Sequence, residues 1–394
     1  MGTEILSVLA RGSASDAATG ILKDVSKKFG SQSPSFALIF ASTSQPLGQL
    51  LPAFVTAWKG TVVLGASTSG EFTEKGDAKN AVAAFIVHGD FRVHAGIGTG
   101  LKADPQGAVD KALAALPAQV AGYPHRTVLM LVDPLSGRGE EATLMAALRL
   151  GDAARLAGGA AGDDLKMAST QVALGEKVAS DAVVLAAVFS KAPFGVGVQH
   201  GHQSISKPMK VTRASGSVVS EIDGRPAWDV WVERTREVAA RHGQDTSRIS
   251  EDQVGAFLLR HEAALATGRA LKVRAPLSKD ARGAISFACG IPQGAEIQIT
   301  ESTPEAQISS AREAARRARA QMGNAPVAGA LVFDCICRNL ILGDRFKDAV
   351  AAIGQELGGA PLAGFETYGE IALDAGDLSG FHNTTTVVLC LPKT

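Results

Sequence analysis

An internal repeat is the sequence feature that most constrains the fold of this chain. Residues 37–40 (ALIF) are followed by residues 65–71 (GASTSGE), and residues 330–333 (ALVF) are followed by residues 364–370 (GFETYGE). Both copies share the pattern A-L-[IV]-F and then G-x-x-T-x-G-E, and an Asn with an apolar run follows in each. Three matching features in the same order indicate a duplicated structural unit.

A third, weaker copy lies between these two. Residues 128–132 have the composition of a strand, residues 158–163 (GGAAGD) occupy the position of the Gly-rich motif, and residues 182–189 supply a closing apolar strand. Short β-rich apolar runs alternate with helical stretches along the chain. We therefore predict an α/β fold in which internally repeated strand-helix-strand-strand units form mixed sheets covered by helices.

The polar segment 234–250 is the least regular part of the sequence. A domain boundary is expected in such a segment, because few buried contacts cross it. We therefore predict one domain at residues 1–240, which contains two related units, and a second domain at residues 241–394.

Two helices of the second domain are predicted from their N-terminal caps. Ser250 opens the capping box S-E-D-Q, and we expect its helix to run to about Ala264. Thr303 precedes Pro304, which is the residue pair preferred at a helix start, and this helix should run to about Met322.

Charge and hydropathy exclude several classes of function. The 39 Lys and Arg residues balance the 39 Asp and Glu residues, so the chain lacks the basic surplus that nucleic-acid binding requires. No uninterrupted apolar run approaches the roughly 18 residues needed for membrane insertion. The start of the chain does not resemble a secretory leader, so we expect a cytoplasmic protein whose four cysteines are free thiols.

Two Gly-rich loops after C-terminal strands are the best candidates for a ligand site, since α/β folds expose their sites at strand ends. We expect a cleft lined by Cys335, Arg338, Thr367, Tyr368 and Glu370. The planar guanidinium of Arg338 suits an acidic group of a ligand, although a surface salt bridge would explain this residue equally well.

One acidic residue recurs at the same position of each repeat. Glu71, Asp163 and Glu370 either bind a ligand amine or accept hydrogen bonds from backbone N–H groups of the glycine turn. Thr68 and Asn383 belong to the same repeated motifs and join the candidate ligand-binding residues.

Sulfur and imidazole groups offer a separate set of interpretations. Alternation on a strand would place Cys335 and Cys337 on one face. The pair could be buried small residues, redox or metal-binding groups, or part of a ligand site. His200 and His202 would likewise share a face and could ligate a metal or haem iron, or be ordinary hydrogen-bonded histidines. The sequence contains no G-x-S-x-G, Walker A or H-E-x-x-H motif, which argues against a recognisable catalytic centre.

Taken as an ordered set, several motifs resemble the FIST N and FIST C domains. The matching segments are residues 65–71, 158–164, 211–227, 333–338, 364–370 and 382–385. The resemblance implies a bacterial or archaeal sensory module that binds small ligands, with amino acids among the candidates. Some stand-alone members resemble haem-dependent nitric oxide sensors that regulate a partner histidine kinase.

The chain departs from the FIST pattern at three positions. Ala66 replaces a cysteine of the first motif, Cys337 replaces a glycine, and His202 stands where the family often has an aromatic residue. Loss of the first cysteine weakens any thiol chemistry in the N-terminal half. The other two changes are either tolerated or add a local metal or haem ligand.

Three hypotheses follow for the function. The first is a stand-alone small-ligand sensor that acts through a signalling partner such as a histidine kinase. The second is a haem-based nitric oxide sensor with His200 or His202 as the axial ligand. The third is an enzyme that uses Cys335 as its nucleophile, with Arg338 lowering the pKa of the thiol.

Overall fold

The computed structural model describes residues 2–151, 154–267, 270–373 and 380–393. Nine α-helices occur in this part of the chain: α1 (Ala14–Phe29), α2 (Leu47–Ala57), α3 (Pro105–Leu113), α4 (Gly139–Leu150), α5 (Ala227–Arg241), α6 (Glu251–Arg260), α7 (Pro304–Ala320), α8 (Ile336–Leu342) and α9 (Phe346–Glu356). Short 3-10 turns lie at Pro134–Ser136, Thr246–Arg248 and Gly343–Arg345. None of the described helices is both long enough and apolar enough to cross a membrane.

The strands are given in chain order. They are β1 (Glu4–Ala10), β2 (Phe36–Ser42), β3 (Val62–Thr68), β4 (Glu71–Thr73), β5 (Gly76–Ala78), β6 (Val82–His88), β7 (Arg92–Thr99), β8 (His125–Val132), β9 (Arg155–Ala160), β10 (Val172–Leu174), β11 (Lys177–Ala179), β12 (Ala182–Ser190), β13 (Gly195–His200), β14 (His202–Ser204), β15 (Met209–Ser215), β16 (Val218–Ile222), β17 (Arg225–Pro226), β18 (Ala263–Thr267), β19 (Ala270–Arg274), β20 (Pro276–Lys279), β21 (Ile285–Phe287), β22 (Glu296–Ser302), β23 (Val327–Cys335), β24 (Leu362–Thr367), β25 (Glu370–Ala372), β26 (Phe381–His382) and β27 (Thr385–Pro392).

Three sheets share one strand order, which confirms the predicted repeat of mixed α/β units. Sheet I is β1-β6-β2-β3-β10-β11, sheet II is β7-β12-β8-β9-β25-β26, and sheet III is β13-β27-β23-β24-β4-β5. Each sheet has a single parallel pair at its centre, namely β2 with β3, β8 with β9, or β23 with β24. Its other pairs are antiparallel, because each closing strand returns directly beside the first strand of its unit.

The units exchange hairpins in a closed cycle. The hairpin β4–β5 of the first unit completes sheet III, β10–β11 of the second completes sheet I, and β25–β26 of the third completes sheet II. Sheets I, II and III are therefore each built from two units. Local sequence patterns did not predict this exchange.

A fourth, antiparallel sheet is inserted into the third unit between β13 and α7. Sheet IV has the order β19-β18-β22-β15-β16-β21-β20, with β14 beside β22 and β17 beside β16. Helices α5 and α6 cover it through a core that includes Trp231, Phe257 and Ile297. The predicted boundary at residues 240/241 lies at the end of α5, inside the segment that forms this sheet.

The inner faces of sheets I, II and III share one apolar core. Phe40 of β2 lies 4.6 Å from Phe365 of β24 and 6.2 Å from Phe333 of β23, measured between ring centroids. Leu129 and Leu131 of β8 belong to the same cluster. Helices cover the outer faces in pairs, α1 and α2 on sheet I, α3 and α4 on sheet II, and α7 and α9 on sheet III.

The two predicted helix starts are confirmed, but one predicted helix end is wrong. Ser250 forms the capping box of α6, and Thr303 Oγ1 accepts a hydrogen bond from Ala306 N–H at the start of α7. Helix α6 ends at Arg260 rather than near Ala264. The residues that follow it form β18, which pairs with β19 and β22, so tertiary strand pairing overrides the local helical pattern.

Candidate ligand-binding site

A cavity of about 290 Å³ lies where β23 ends, between α6, α8 and sheet IV. Three of the predicted site residues line it, namely Cys335, Tyr368 and Asn383. The remaining described lining residues are Pro134, Leu135, Leu165, Met167, Gly255, Leu259, Ala275, Pro276, Leu277, Phe287, Ala288, Ile336, Cys337 and Leu340. None of these described lining residues carries a charge, so the interior of the cavity is apolar.

The mouth of the cavity is unusually apolar as well. Leu165, Met167, Leu277 and Leu340 belong to the lining, and each exposes about half of its surface to solvent, between 47% and 55%. Exposed apolar groups gathered around a concave site are typical of surfaces that bind another molecule.

Cys335 and Cys337 both reach the cavity, although they do not lie on one strand as predicted. Cys335 is the last residue of β23 and Cys337 belongs to α8. Both are buried free thiols. Burial, reinforced by the hydrogen bond to Cys337, raises the pKa of the Cys335 thiol well above its ordinary value. This shift is opposite to the thiolate activation that a nucleophilic cysteine requires.

Arg338 lies behind the cavity wall and is fully buried. Its Nε donates to Asp334 Oδ1 at 2.7 Å, and its other nitrogens donate to the side chain and carbonyl oxygen of Gln307 and to Ser310 Oγ. Thr386 Oγ1 donates to the second oxygen of Asp334 at 2.7 Å. The structure thus commits this guanidinium to neighbouring side chains, rather than to a ligand or to a surface salt bridge.

Thr367 and Glu370 form a buried clamp on the closing strand of the third unit. Thr367 Oγ1 donates to Glu370 Oε1 at 2.5 Å, and Glu370 Oε2 accepts from the N–H and the hydroxyl of Thr385 at 3.0 and 2.9 Å. Burial raises the pKa of the Glu370 carboxyl to about 8. The backbone N–H that this acid accepts from is that of Thr385 at the start of β27, and not one of the glycine turn as predicted.

The first unit contains the equivalent clamp. Thr68 Oγ1 donates to Glu71 Oε1, and Glu71 Oε2 accepts from Ala81 N–H at 3.1 Å. Burial raises the pKa of Glu71 to about 8. Because Thr68 and Glu71 are both completely buried, they support the fold around the Gly-rich motif.

In the second unit a different acid holds the closing strand. Asp133 accepts from the hydroxyl of Thr170 and from Asp181 N–H at the start of β12. Sequence reasoning missed Asp133, because it follows β8 instead of standing in the Gly-rich motif. The apolar run of residues 128–132, which predicts a strand, was the one sequence signal that could have pointed to Asp133 at the end of that strand.

Asp163 instead organises the loop that follows β9. It accepts hydrogen bonds from the N–H groups of Met167, Ala168 and Ser169 at 2.6–2.9 Å and from Tyr368 Oη at 2.5 Å. Burial alone would raise the pKa of Asp163, but these hydrogen bonds lower it below its ordinary value. Asp163 also lines a second, polar cavity of about 310 Å³ between the first two units.

The two candidate haem ligands lie on consecutive strands rather than on one. His200 ends β13 and His202 begins β14, with ring centroids 6.4 Å apart. His200 Nδ1 accepts from His202 N–H, and its Nε2 lies 3.0 Å from Leu271 O. Both nitrogens of His200 are therefore already engaged.

His202 is enclosed on all sides. Its side chain has no exposed surface, its Nδ1 lies 3.0 Å from Thr300 Oγ1, and its Nε2 lies 3.9 Å from Glu262. Burial lowers the pKa of His202 well below its ordinary value. These surroundings do not fit an axial haem ligand, and the described residues contain no group of three or more His, Cys, Asp or Glu side chains arranged to hold a metal ion.

Comparison with known proteins agrees with the resemblance of the sequence motifs to the FIST N and FIST C domains. The profile of the FIST N domain matches residues 35–225, and that of the FIST C domain matches residues 227–373. Uncharacterized protein Rv0628c of Mycobacterium tuberculosis (strain ATCC 25618 / H37Rv) is 33% identical over 189 residues, which cover 47% of this chain and 48% of that protein. Uncharacterized protein Mb0898c of Mycobacterium bovis (strain ATCC BAA-935 / AF2122/97) is 31% identical over 183 residues, 45% of this chain and 46% of that protein.

The chain thus spans about half the length of these curated relatives. Among solved structures, the crystal structure of a cyanuric acid hydrolase from A. caulinodans aligns over 100% of both chains, with a TM-score of 0.34 and 9% sequence identity.

Proposed function

Because this chain belongs to the FIST family, whose domains are sensory, small-ligand-binding domains of signalling proteins, we propose that it is a small-ligand sensor whose ligand occupies the cavity at the end of β23. In this proposal the protein passes its signal to a partner such as a histidine kinase. Cys335, Tyr368 and Asn383 contact the ligand, while Arg338, Thr367 and Glu370 hold the strands behind the wall.

One observation carries this proposal. The cavity is built jointly from both matched domains, since Leu165 and Met167 lie in the FIST N region while Cys335 and Tyr368 lie in the FIST C region. A ligand in this cavity therefore contacts elements of both domains at once. A ligand that binds one arrangement of these elements more tightly than another shifts the equilibrium between the two conformations, which is what a sensor requires.

The loop 164–167 is the element that would report occupancy. Asp164, Leu165 and Met167 all have positive φ angles, of 57°, 62° and 51°, which cost free energy in residues other than glycine. Tyr368 holds the loop in place, because its Oη accepts from Leu165 N–H at 2.8 Å and donates to Asp163. A ligand beside the Tyr368 ring would strengthen or break the two hydrogen bonds that hold the loop. A partner protein would detect this change through the exposed side chains of Leu165 and Met167.

The two alternative functions have weaker support. The haem-based sensor requires a histidine nitrogen that faces an open site, whereas His200 and His202 face Leu271, Thr300 and Glu262. A Soret band in the freshly purified protein would support the haem-based sensor instead. The cysteine-dependent enzyme requires a thiolate, which the raised pKa of Cys335 disfavours.

A variant that closes the cavity tests the proposal. Gly255 lies on α6 and lines the cavity, and an added Cβ would meet no atom within 4 Å. Gly255→Phe should therefore fill the site without a backbone clash and without weakening the helix. Gly20→Phe in α1 is the matched control, because a Cβ added to Gly20 would likewise meet no described atom within 4 Å outside its own helix, and Gly20 lies outside this cavity.

The measurement is a thermal-shift screen of small metabolites, followed by calorimetric titration of each hit. We expect hits that stabilise the wild type and Gly20→Phe but bind Gly255→Phe at least about tenfold more weakly, as steric exclusion requires. If every hit binds Gly255→Phe as tightly as it binds the wild type, the sensor site is not this cavity.

A further inference from the structure

The lining of the cavity restricts the chemistry of its ligand. Resting on the function proposed above, we infer that this site takes an uncharged, largely apolar molecule that donates one hydrogen bond to Asn383 Oδ1. This class is narrower than small ligands in general. It excludes zwitterionic amino acids and phosphorylated compounds.

None of the described lining residues carries a charge. An ammonium or carboxylate group that enters such a cavity loses its hydration and finds no partner of opposite sign. The buried guanidinium of Arg338, behind the cavity wall, already donates hydrogen bonds to Asp334, Gln307 and Ser310. Uncharged ligands avoid this penalty, and apolar ones gain from contact with Leu259, Phe287 and the other apolar lining residues.

The polar atoms of the described lining residues differ in whether they already have a hydrogen-bond partner. The hydroxyl of Tyr368 already donates to Asp163 and accepts from Leu165 N–H. The thiols of Cys335 and Cys337 are hydrogen-bonded to each other. Neither group requires a further partner in the ligand.

Asn383 is different. Only 2% of this residue is exposed, its Nδ2 donates to His382 O at 3.0 Å, and its side chain also contacts the thiol of Cys289 through a hydrogen bond. Within the part of the chain that the structure describes, the Oδ1 atom has no hydrogen-bond partner. The bond to His382 O fixes the orientation of the amide, because only the nitrogen can donate to a carbonyl. A buried carbonyl oxygen without a partner is rare, and a ligand N–H or O–H would satisfy it.

The volume limits the ligand to a small molecule. A cavity of about 290 Å³ holds about ten groups of the size of water, at roughly 30 Å³ each. A bicyclic ring with a single N–H group matches this size, this polarity and the single free acceptor. Indole is therefore a suitable probe.

The experiment compares four probes by calorimetric titration with the full chain. Indole has one N–H donor, N-methylindole lacks it, tryptophan adds an ammonium and a carboxylate, and 3-ethylindole adds only neutral bulk. We expect indole to bind at least about tenfold more tightly than N-methylindole, which is the effect of one neutral hydrogen bond. Tryptophan should bind at least about a hundredfold more weakly than 3-ethylindole, because its charges find no partner.

Asn383→Leu tests the assignment of the acceptor, since leucine has nearly the same shape without the amide. The preference for indole over N-methylindole should disappear in this variant. If the variant does not fold, as judged by circular dichroism, the ratio of the indole and N-methylindole affinities of the wild type still tests the role of Asn383. Equal binding of indole and N-methylindole to the wild type would overturn the role of Asn383.

Two further outcomes would overturn the inference. Tryptophan binding as tightly as 3-ethylindole would show that the site accepts charge, and a failure of all neutral probes at about 1 mM, the weak end of specific binding, would show that it does not take this class. Indole binding that Gly255→Phe leaves unchanged would instead contradict the proposed site itself. A charged metabolite that Gly255→Phe excludes would support the site and reject the ligand class.

Discussion

Arg338 and Asp334 illustrate how a single buried pair shapes the region behind the cavity. Both side chains are almost completely buried, and every charge-bearing atom of the pair has a hydrogen-bond partner. Removing one partner of such a pair leaves an uncompensated buried charge, which costs far more than the pair itself contributes.

We predict that Arg338→Met lowers the free energy of unfolding by about 3–5 kcal/mol, because Asp334 loses its counter-charge. Arg345→Met is the matched control, since the half-exposed Arg345 pairs with Glu305 and Asp348 at the surface and its loss should cost under about 1 kcal/mol. Urea denaturation measures both variants. A stable Arg338→Met variant that had lost ligand binding would instead support the sequence-based prediction that Arg338 contacts the ligand.

Buried carboxyl groups make stability depend on pH in a direction that can be worked out. Burial raises the pKa of Glu71, Glu366 and Glu370 to about 8 in the folded protein, whereas the unfolded chain has values near 4.5. Between these values the folded state binds more protons than the unfolded state. Stability should therefore be greatest at low pH within this window and fall as the pH rises towards 8.

Glu370→Gln should flatten this pH dependence, because glutamine keeps a neutral side chain at every pH. We expect the slope of unfolding free energy between about pH 5 and 8 to decrease by up to about 1.4 kcal/mol per pH unit, the effect of one proton. Chemical denaturation at several pH values measures this slope. Glu305→Gln, a change at the surface, should leave it unchanged, and an unaltered slope in Glu370→Gln would contradict the assignment.

Glycine pairs determine how closely two helices approach their sheets. A Cβ on Gly96 or Gly98 of β7 would overlap backbone carbonyls of α3, and one on Gly195 or Gly197 of β13 would overlap those of α7. The Gly-rich run 96–100 thus serves close helix-to-strand packing.

Gly98→Ala and Gly197→Ala should each lower the free energy of unfolding by about 1–3 kcal/mol, because the added methyl group forces the helix away from the strand. Gly20→Ala should instead stabilise the protein by about 1 kcal/mol, since Gly20 lies inside α1 with open space around it. Thermal and urea unfolding compare the three variants. An increase in stability in Gly98→Ala and Gly197→Ala would show that close packing against α3 and α7 does not control these two positions.

The exchange of hairpins links the units into one cooperative structure. Sheet III takes β4–β5 from the first unit, and sheet II takes β25–β26 from the third. All three sheets also enclose a common core that includes Phe40, Leu131 and Phe333. No unit can complete its own sheet, so division of the chain removes strands from both pieces.

We predict that fragments 1–240 and 241–394, the two domains expected from sequence, do not fold separately. Each should show weak near-ultraviolet circular dichroism and no cooperative unfolding, because sheets II, III and IV lose strands. Coexpression of both fragments should restore a folded complex. Cooperative folding of either isolated fragment would show that the exchanged hairpins are dispensable.

Sequence alone determined the repeat, the mixed α/β class and two helix starts, because these depend on residues close together in the chain. Ser250 and Thr303 mark their helices through bonds to neighbours three residues away. Cys335, Tyr368 and Asn383, which line the cavity, were among the candidates predicted from sequence, since strand ends and glycine turns have local signatures.

Only the tertiary structure decided how these parts combine. Which hairpin completes which sheet depends on register between strands far apart in the chain, and no local pattern encodes it. The same holds for Arg338, whose partners Gln307 and Ser310 lie on another helix, and for the apolar wall that α6 and sheet IV bring to Cys335. Sequence identified the candidate residues, and long-range packing separated those that line the cavity from those that support it.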